Sequence, residues 1–126
     1  MAEEEYYQFY HDCQAAIAFL IEQRSGIAVG ALHHPFLGDI DLVWGRSGDR
    51  RSTGYGLAKI VEHHPEVIPQ MQEIVSRMTL IRYRGKKGFD IYDQKKHYVA
   101  TIRIGYNGTN RKWLMTMFKK VKAPKK

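Results

Sequence analysis

The 126-residue sequence has only one cysteine and no apolar run long enough to cross a membrane. Cys13 has no second cysteine to pair with, so the fold does not depend on an oxidising compartment. The N-terminus shows no secretory signal, because acidic residues stand where basic residues and an apolar run would be needed. The length predicts one compact domain over residues 1–126.

Acidic residues are also in short supply. The chain has 20 lysines and arginines against 13 aspartates and glutamates, which gives a formal net charge of +7. This balance favours polyanionic partners, either nucleic acid or an acidic protein. The cations concentrate in a polar loop that contains Arg50 and Arg51, in the predicted sheet, and in a basic tail at 121–126.

The hydrophobic spacing changes along the chain. Apolar residues three and four apart predict a helix from about Glu4 to Arg24, within an N-terminal segment 1–26. Residues 27–53 predict strand and basic loop, and two further helices are expected at 57–64 and 66–78. Alternation after that predicts four strands, at 79–84, 88–92, 97–104 and 112–119. We therefore predict an α+β fold in which N-terminal helices pack on a four-stranded antiparallel β-meander, with residues 54–120 as its helix-plus-meander core.

The Asn107-Gly108 pair is the strongest hairpin signal in the sequence. An even-length turn centred there places Arg103 opposite Lys112. The core face then carries Tyr98, Ala100, Ile102, Trp113, Met115 and Met117, and a one-residue bulge would break this sorting. The opposite face gathers Arg103, Lys112 and Thr116, which suits RNA and also fits an ordinary solvated sheet face.

Metal ligands do not occur at their usual spacings. The adjacent pairs His33-His34 and His63-His64 diverge on a strand or helix, and the sequence has no zinc-protease helix motif and no cysteine pair. We therefore expect no metal and no cofactor.

Asp39 and Asp41 leave one alternative open. They alternate on one strand face and would bind Mg²⁺ with a third carboxylate, although a surface or turn role fits the same spacing.

Four ordered sequence blocks resemble the phage-associated barnase–EndoU–colicin–RelE-like nucleases. The blocks are GDIDLVWG, GYGLAKIVEHHPEV, RIGYNG and KWLMTMF, and the resemblance extends over about residues 31–120. It implies a barnase/RelE-like fold and a toxin-type nuclease. The hairpin residues 105–108 read Gly-Tyr-Asn-Gly where relatives often have Asp-Trp-Asp-Gly.

The resemblance also implies the site. Lys59 occupies a helix position where many relatives have histidine, and His64 is the histidine before Pro-Glu. Arg103 is the strand arginine, and Thr116 is the hydroxyl of the last strand. These four residues are the expected catalytic group. The expected nucleic-acid contacts are Arg50, Arg51, His63, Arg82, Lys112 and Trp113.

The implied reaction is metal-independent cleavage of RNA, with tRNA as the expected substrate class. The substrate 2′-hydroxyl attacks the adjacent phosphate and leaves a 2′,3′-cyclic phosphate, which requires a base, an acid and a cation. The expected protein is a monomer without membrane contact, with a cognate immunity protein as partner. It would act in the cytoplasm of the producing or target bacterial cell, alone or as the C-terminal domain of a larger secreted or phage protein.

A non-enzymatic function stays open at this point. The chain would then be a basic RNA- or protein-binding module, or a degenerate nuclease domain of a phage structural protein.

Overall fold

The computed structural model describes residues 3–49 and 53–120, which fold as one seven-stranded mixed sheet with helices. The strands are β1 (Glu5–Tyr6), β2 (Ile27–His34), β3 (Gly38–Val43), β4 (Leu80–Tyr83), β5 (Gly88–Tyr92), β6 (Tyr98–Tyr106) and β7 (Thr109–Lys119). The helices are α1 (Cys13–Gln23), α2 (Gly56–His63) and α3 (Met71–Ser76), with 3₁₀ turns at Pro65–Val67 and Gly85–Lys87. Among these helices, none has the length and apolar character needed to cross a bilayer.

The predicted four-stranded antiparallel meander is wrong as a description of this sheet. The strand order is β1-β2-β3-β7-β6-β5-β4, and β3 pairs with β7 in parallel, as β1 does with β2. The last four strands do pair antiparallel in chain order, but three further strands extend the sheet beyond β7. Alternation along a strand reports which face is buried and not which strand lies beside it, so the β3–β7 contact had no local signal.

The predicted N-terminal helix begins only at Cys13. Asp12 caps it by accepting a hydrogen bond from the first turn, and His11 before it has a φ of +56°, which an α-helix cannot contain. Tyr6 and Phe9 pack back onto the helix instead, with ring centroids 4.7 and 4.9 Å from that of Phe19.

The main core fills the space between one sheet face and the helices. Its fully buried large side chains are Leu20, Leu32, Ile40, Leu42, Leu57, Ile60, Met71, Met78, Ile91, Ile102, Leu114 and Met117. Cys13 lies in the same core, where burial raises the pKa of its thiol to about 12. The interpretation of this cysteine as a buried structural thiol is confirmed.

A β-bulge changes the register of the β6–β7 hairpin. Thr101 pairs with Thr116, but Ile102, the next residue on β6, pairs with Leu114. Met115 is therefore the extra residue on β7.

The bulge changes which residues share a face. The predicted pairing of Arg103 with Lys112 is wrong, because Arg103 lies opposite Trp113. Trp113 therefore belongs to the face that carries Arg103, not to the predicted core face. Its indole donates a hydrogen bond from Nε1 to the carbonyl of Gly105, at 2.9 Å.

The junction between β3 and β7 depends on side chains. Its one backbone-paired position in the described ranges is Asp41 opposite Trp113. Arg111 on β7 adds two charged hydrogen bonds, from Nη1 to Asp41 Oδ2 at 2.6 Å and from Nη2 to Glu5 Oε2 at 2.8 Å. The Arg111 and Asp41 side chains are only 9% and 12% exposed, so this ion pair is desolvated.

Arg111→Met would leave Asp41 buried without its charge partner. Loss of one member of a buried ion pair costs about 3–5 kcal/mol, so we expect urea denaturation to show a fall of that size in the free energy of unfolding. The control is Arg82→Met at an exposed position of β4, expected to change stability by less than about 0.5 kcal/mol. An Arg111→Met protein as stable as the parent would contradict this role.

Candidate functional site

The sheet face opposite the main core collects most of the polar side chains on β5, β6 and β7. Cross-strand pairing places Asp90, Thr101 and Thr116 in one row, and Gly88, Arg103 and Trp113 in the next. We call this the basic face, after the cations at its two ends.

Arg103 lies between two adjoining concavities of the basic face, which together form the Arg103 groove. The first, of about 170 Å³, is lined by Arg84, Lys87, Gly88, Phe89, Thr101, Ile102, Arg103 and Met115. The second, of about 320 Å³, is lined by Gly54, Tyr55, Arg103, Gly105, Tyr106, Asn107, Trp113 and Met115. Arg103 and Met115 line both, so a ligand in one concavity can extend into the other.

The first concavity is cationic and has an ordered wall. Arg84 donates from Nη1 to Asp90 Oδ2 at 2.7 Å, and Thr101 donates from Oγ1 to Asp90 Oδ1 at 2.9 Å. The buried carboxylate raises the pKa of Arg84 through this hydrogen bond. Arg103 is half-buried and has no carboxylate within ion-pair distance in the described part of the chain. Its guanidinium is therefore available to an anionic ligand.

The second concavity is aromatic. The Trp113 ring lies 5.8 Å from that of Tyr55 and 5.1 Å from that of Tyr106, both edge-to-face. Trp113 is buried, whereas the two tyrosines are half-buried. The tyrosines therefore present the ring surface that a ligand would reach first, and Trp113 supports them.

Cations also gather at the other end of the basic face. Arg82 on β4 lines a separate concavity with Lys96 and Lys120, and both lysines lie just under 6 Å from the Tyr92 ring. This second cluster lies about 13 Å from the level of Arg103, because four residues of strand separate Tyr92 from Gly88.

Helix α2 packs against β7 beside the basic face. It begins at Gly56, which has a φ of +78° and so little room that a Cβ would lie 2.6 Å from the carbonyl oxygen of Val43. The amide of Ala58 donates to the carbonyl of Trp44 at 2.8 Å. These contacts fix the start of α2 against the end of β3.

Lys59 on α2 is a buried lysine. Its residue is only 7% exposed, and no carboxylate in the described ranges lies within ion-pair distance of it. Desolvation lowers the pKa of Lys59 below its ordinary value, because burial penalises the charged form. A lysine in this state can accept a proton nearer to neutral pH than a surface lysine can.

Besides Arg111 Nε at the β3–β7 junction, two side-chain atoms on α2 and β7 are buried without a hydrogen-bond partner among the residues described. They are Nε2 of His63 and Oγ1 of Thr116. A buried polar atom left unsatisfied costs about 1–3 kcal/mol, so such atoms are uncommon unless a ligand completes them.

The predicted catalytic residues lie in one region, but they do not converge on one point. The His64 ring lies 5.2 Å from that of Phe118, which shares the basic face with Thr116 two residues away. Arg103 lies two residues beyond Thr101, the partner of Thr116. The levels of His64 and Arg103 are thus about 13 Å apart along the strands, with the threonine pair midway.

The predicted nucleic-acid contacts are more scattered. Arg50 and Arg51 lie outside the described residues. Arg82 belongs to the far cluster, and Lys112 donates from Nζ to the carbonyl of Leu37. His63 is half-buried on α2.

The two aspartates considered for Mg²⁺ are already engaged. Asp41 Oδ1 accepts from the amide of Gly30 at 2.7 Å, and its Oδ2 accepts from Arg111. Asp39 faces His11 and His33 at 2.7 and 3.4 Å.

Sequence reasoning missed Tyr55 and Tyr106 as groove residues, and it included Arg84 and Lys87 only among the unnamed cations of the predicted sheet. A weak signal existed for the tyrosines, since each follows a glycine, Tyr55 just before α2 and Tyr106 at the end of β6. Nothing local in the sequence links residue 55 to residue 106, because the sheet brings them together.

One family model matches this chain. The model, described as phage-Barnase-EndoU-ColicinE5/D-RelE like nuclease 1, matches residues 31–124, well over half of the chain. No curated protein and no solved structure matches it. The matched range contains the Arg103 groove, α2 and β7, and it leaves out β1 and α1.

Lys59 should make stability depend on pH in a defined direction. Its pKa is lower in the folded chain than the ordinary 10.5, so between the two values the unfolded chain binds more protons. The free energy of unfolding should therefore rise with pH across that window, and the penalty is complete below the folded pKa. Lys59→Met should be more stable than the parent at pH 7, with a difference that shrinks toward pH 10.5.

The matched control is Lys119→Met, at an exposed position near the end of β7. Its stability difference from the parent should not vary with pH. Denaturation curves at several pH values test both variants, and a pH-independent difference for Lys59→Met would contradict a lowered pKa.

Proposed function

The chain belongs to the phage-Barnase-EndoU-ColicinE5/D-RelE like nucleases, and on that premise we propose that it is a metal-independent endoribonuclease of the toxin type. The observation that carries the proposal is Lys59, a residue only 7% exposed and without a carboxylate partner in the described ranges, on the helix that packs against β7, the strand with the unsatisfied Thr116 hydroxyl. A base and a hydrogen-bond donor held beside a cationic groove are what RNA transesterification needs.

We place the reacting phosphate over the pair of threonines at the middle of the basic face. Arg103 approaches from one side and His64 from the other, each at a level about 7 Å away along the strands. The long arginine side chain would span that gap, and its planar fork matches two phosphate oxygens. Thr116 Oγ1 would donate to a phosphate oxygen and so gain the partner that it lacks.

In the proposed reaction, the neutral amine of Lys59 accepts the proton of the substrate 2′-hydroxyl. The 2′-oxygen attacks phosphorus, and the bond from phosphorus to the 5′-oxygen breaks. His64 donates a proton to the departing 5′-oxygen, which leaves a 2′,3′-cyclic phosphate and a 5′-hydroxyl. Each of these proton transfers is typically worth about 10²–10⁴-fold in rate.

The rest of the basic face suits a single-stranded substrate. Tyr55 and Tyr106 would stack a base in the aromatic concavity beside Arg103. The distant cluster with Arg82 and Lys120 would hold a phosphate further along the strand. Unpaired loops of tRNA present such splayed bases, which is why tRNA is the proposed substrate class.

Thr116→Val tests the site without threatening the fold. Valine has nearly the same shape and removes an unsatisfied hydroxyl, so the free energy of unfolding should stay the same or rise. Cleavage of total tRNA should fall about 10²-fold, the loss typical of one donor to a developing oxyanion. Thr109→Val, at an exposed hairpin position, is the control. Parental cleavage by Thr116→Val would remove Thr116 from the site.

Arg103→Ala should lower cleavage by about 10²–10³-fold with little loss of stability, because Arg103 has no ion-pair partner to strand. Arg103→Lys should recover only part of the activity, since lysine lacks the planar fork. The assay is end-mapping of purified tRNA incubated with protein in EDTA. RNA binding without cleavage by the parent protein would instead identify a non-catalytic RNA-binding module.

The role of Lys59 can be read from a pH–rate profile. A base must be neutral, so the rate should rise with pH up to the lowered pKa of Lys59, and Lys59→Met should lose this rise together with about 10²–10⁴-fold in rate. A rate that falls as Lys59 loses its proton would identify the amine as a cation and contradict the base role.

A further inference from the structure

We propose that His11, His33 and Asp39 form a binding site for one divalent transition-metal ion of the zinc class, outside the nuclease site. In the described part of the chain, these are the residues whose imidazole and carboxylate atoms gather closely enough, all within 4.8 Å of one another. They come from three different segments, namely the loop before α1, β2 and β3. No spacing in the sequence indicated the cluster, because it combines one histidine of the His33-His34 pair with His11 and Asp39 from other segments.

The ligand set selects the kind of ion. Two imidazole nitrogens and one carboxylate oxygen suit Zn²⁺, Co²⁺ or Ni²⁺, whereas Mg²⁺ and Ca²⁺ prefer oxygen ligands alone. Ligand atoms on one zinc ion lie about 2.0–2.2 Å from it, and therefore at most about 4.4 Å from each other. The His33 side chain is 51% exposed, so its ring can rotate to close the small remaining difference.

The cluster already has the contacts of an incipient site. Asp39 Oδ1 lies 2.7 Å from Nε2 of His11 and 3.4 Å from Nδ1 of His33, so one carboxylate oxygen faces a nitrogen of each ring. A metal ion would take the place of the ring protons in these two contacts, and those protons would be released to solvent. Three protein ligands would leave the ion an open position for water, as in other three-ligand zinc sites.

The backbone that carries the two histidines is held in place. His11, with its φ of +56°, donates from its amide to the carbonyl of Gly30 at 2.8 Å. Its ring stacks on that of Tyr10, with centroids 3.9 Å apart. Both backbone groups of His33 bond to the side-chain amide of Gln72, at 2.9 and 2.8 Å. Supporting contacts of this kind orient the ligands of natural metal sites.

The ion would fasten the segment before α1 to the β2–β3 hairpin. This role is structural, because the cluster lies roughly 15 Å from the threonine pair, five residues further along the strands and one strand across. Metal binding here and metal-independent cleavage at Thr116 are therefore compatible, and each can fail without the other.

The test uses the full chain and two metals. The metal-free protein is titrated with Co²⁺, followed by its visible absorption, and Zn²⁺ is then added as a competitor. We expect one Co²⁺ per chain, displaced by Zn²⁺. Zinc at a hundred times its dissociation constant should raise the melting temperature by about 10 °C.

Variants locate the ion. His33→Gln and Asp39→Asn, both at half-exposed side chains, should each weaken Co²⁺ binding more than tenfold and abolish the rise in melting temperature. His97→Ala is the control at a histidine outside the cluster, and it should bind as the parent does. Absence of binding by the parent, or equal binding by His33→Gln, would overturn the proposal and leave the cluster as a set of hydrogen bonds. RNA cleavage in EDTA should be the same for the parent and His33→Gln, whichever metal result is obtained.

Discussion

The buried guanidinium of Arg111 is the interaction on which the rest of the structure depends. It joins three strands, because it contacts Asp41 on β3 and Glu5 on β1 while its own backbone belongs to β7. Backbone pairing alone contributes little here, since β3 and β7 share one paired position in the residues described. Without the ion pair, the first three strands and the last four would be two small sheets in weak contact. The charged contact makes them one sheet with one core.

The short pairing between β3 and β7 also leaves space for the candidate site. Because β3 leaves β7 after Asp41, no strand from residues 3–49 and 53–120 lies on that side of the remaining length of β7, and α2 packs against it instead. The entry glycine of α2 lies close against the end of β3, and the hydrogen bond from the Ala58 amide to the Trp44 carbonyl holds the helix there. Lys59 is buried as a consequence of this placement. The lowered pKa of Lys59 thus follows from the point at which β3 stops pairing with β7.

Local patterns predicted the elements better than their arrangement. Alternation and the Asn107-Gly108 turn correctly predicted a hairpin at the end of the chain, and the observed strand β5 spans the predicted 88–92. The bulge at Met115 escaped prediction, because an extra residue in a strand of mixed polarity leaves no mark on the pattern. That one residue moved Trp113 to the basic face and changed the predicted partner of Arg103. The N-terminal spacing misled for a different reason, since residues packing on a helix can repeat the spacing of a helix.

The buried polar groups of α2 and β7 indicate the location of the functional site better than the distribution of surface cations does. Cations spread over the whole sheet, and most protein surfaces tolerate them at little cost. The buried lysine and the buried, unsatisfied threonine hydroxyl are different, because the desolvated charge of Lys59 and the unpaired hydroxyl of Thr116 each lower stability. Both belong to the contact of α2 with β7. A sequence that keeps two such costs on adjoining elements retains something other than stability there, and the cationic groove on the same sheet face supports the proposed binding and cleavage of a polyanion.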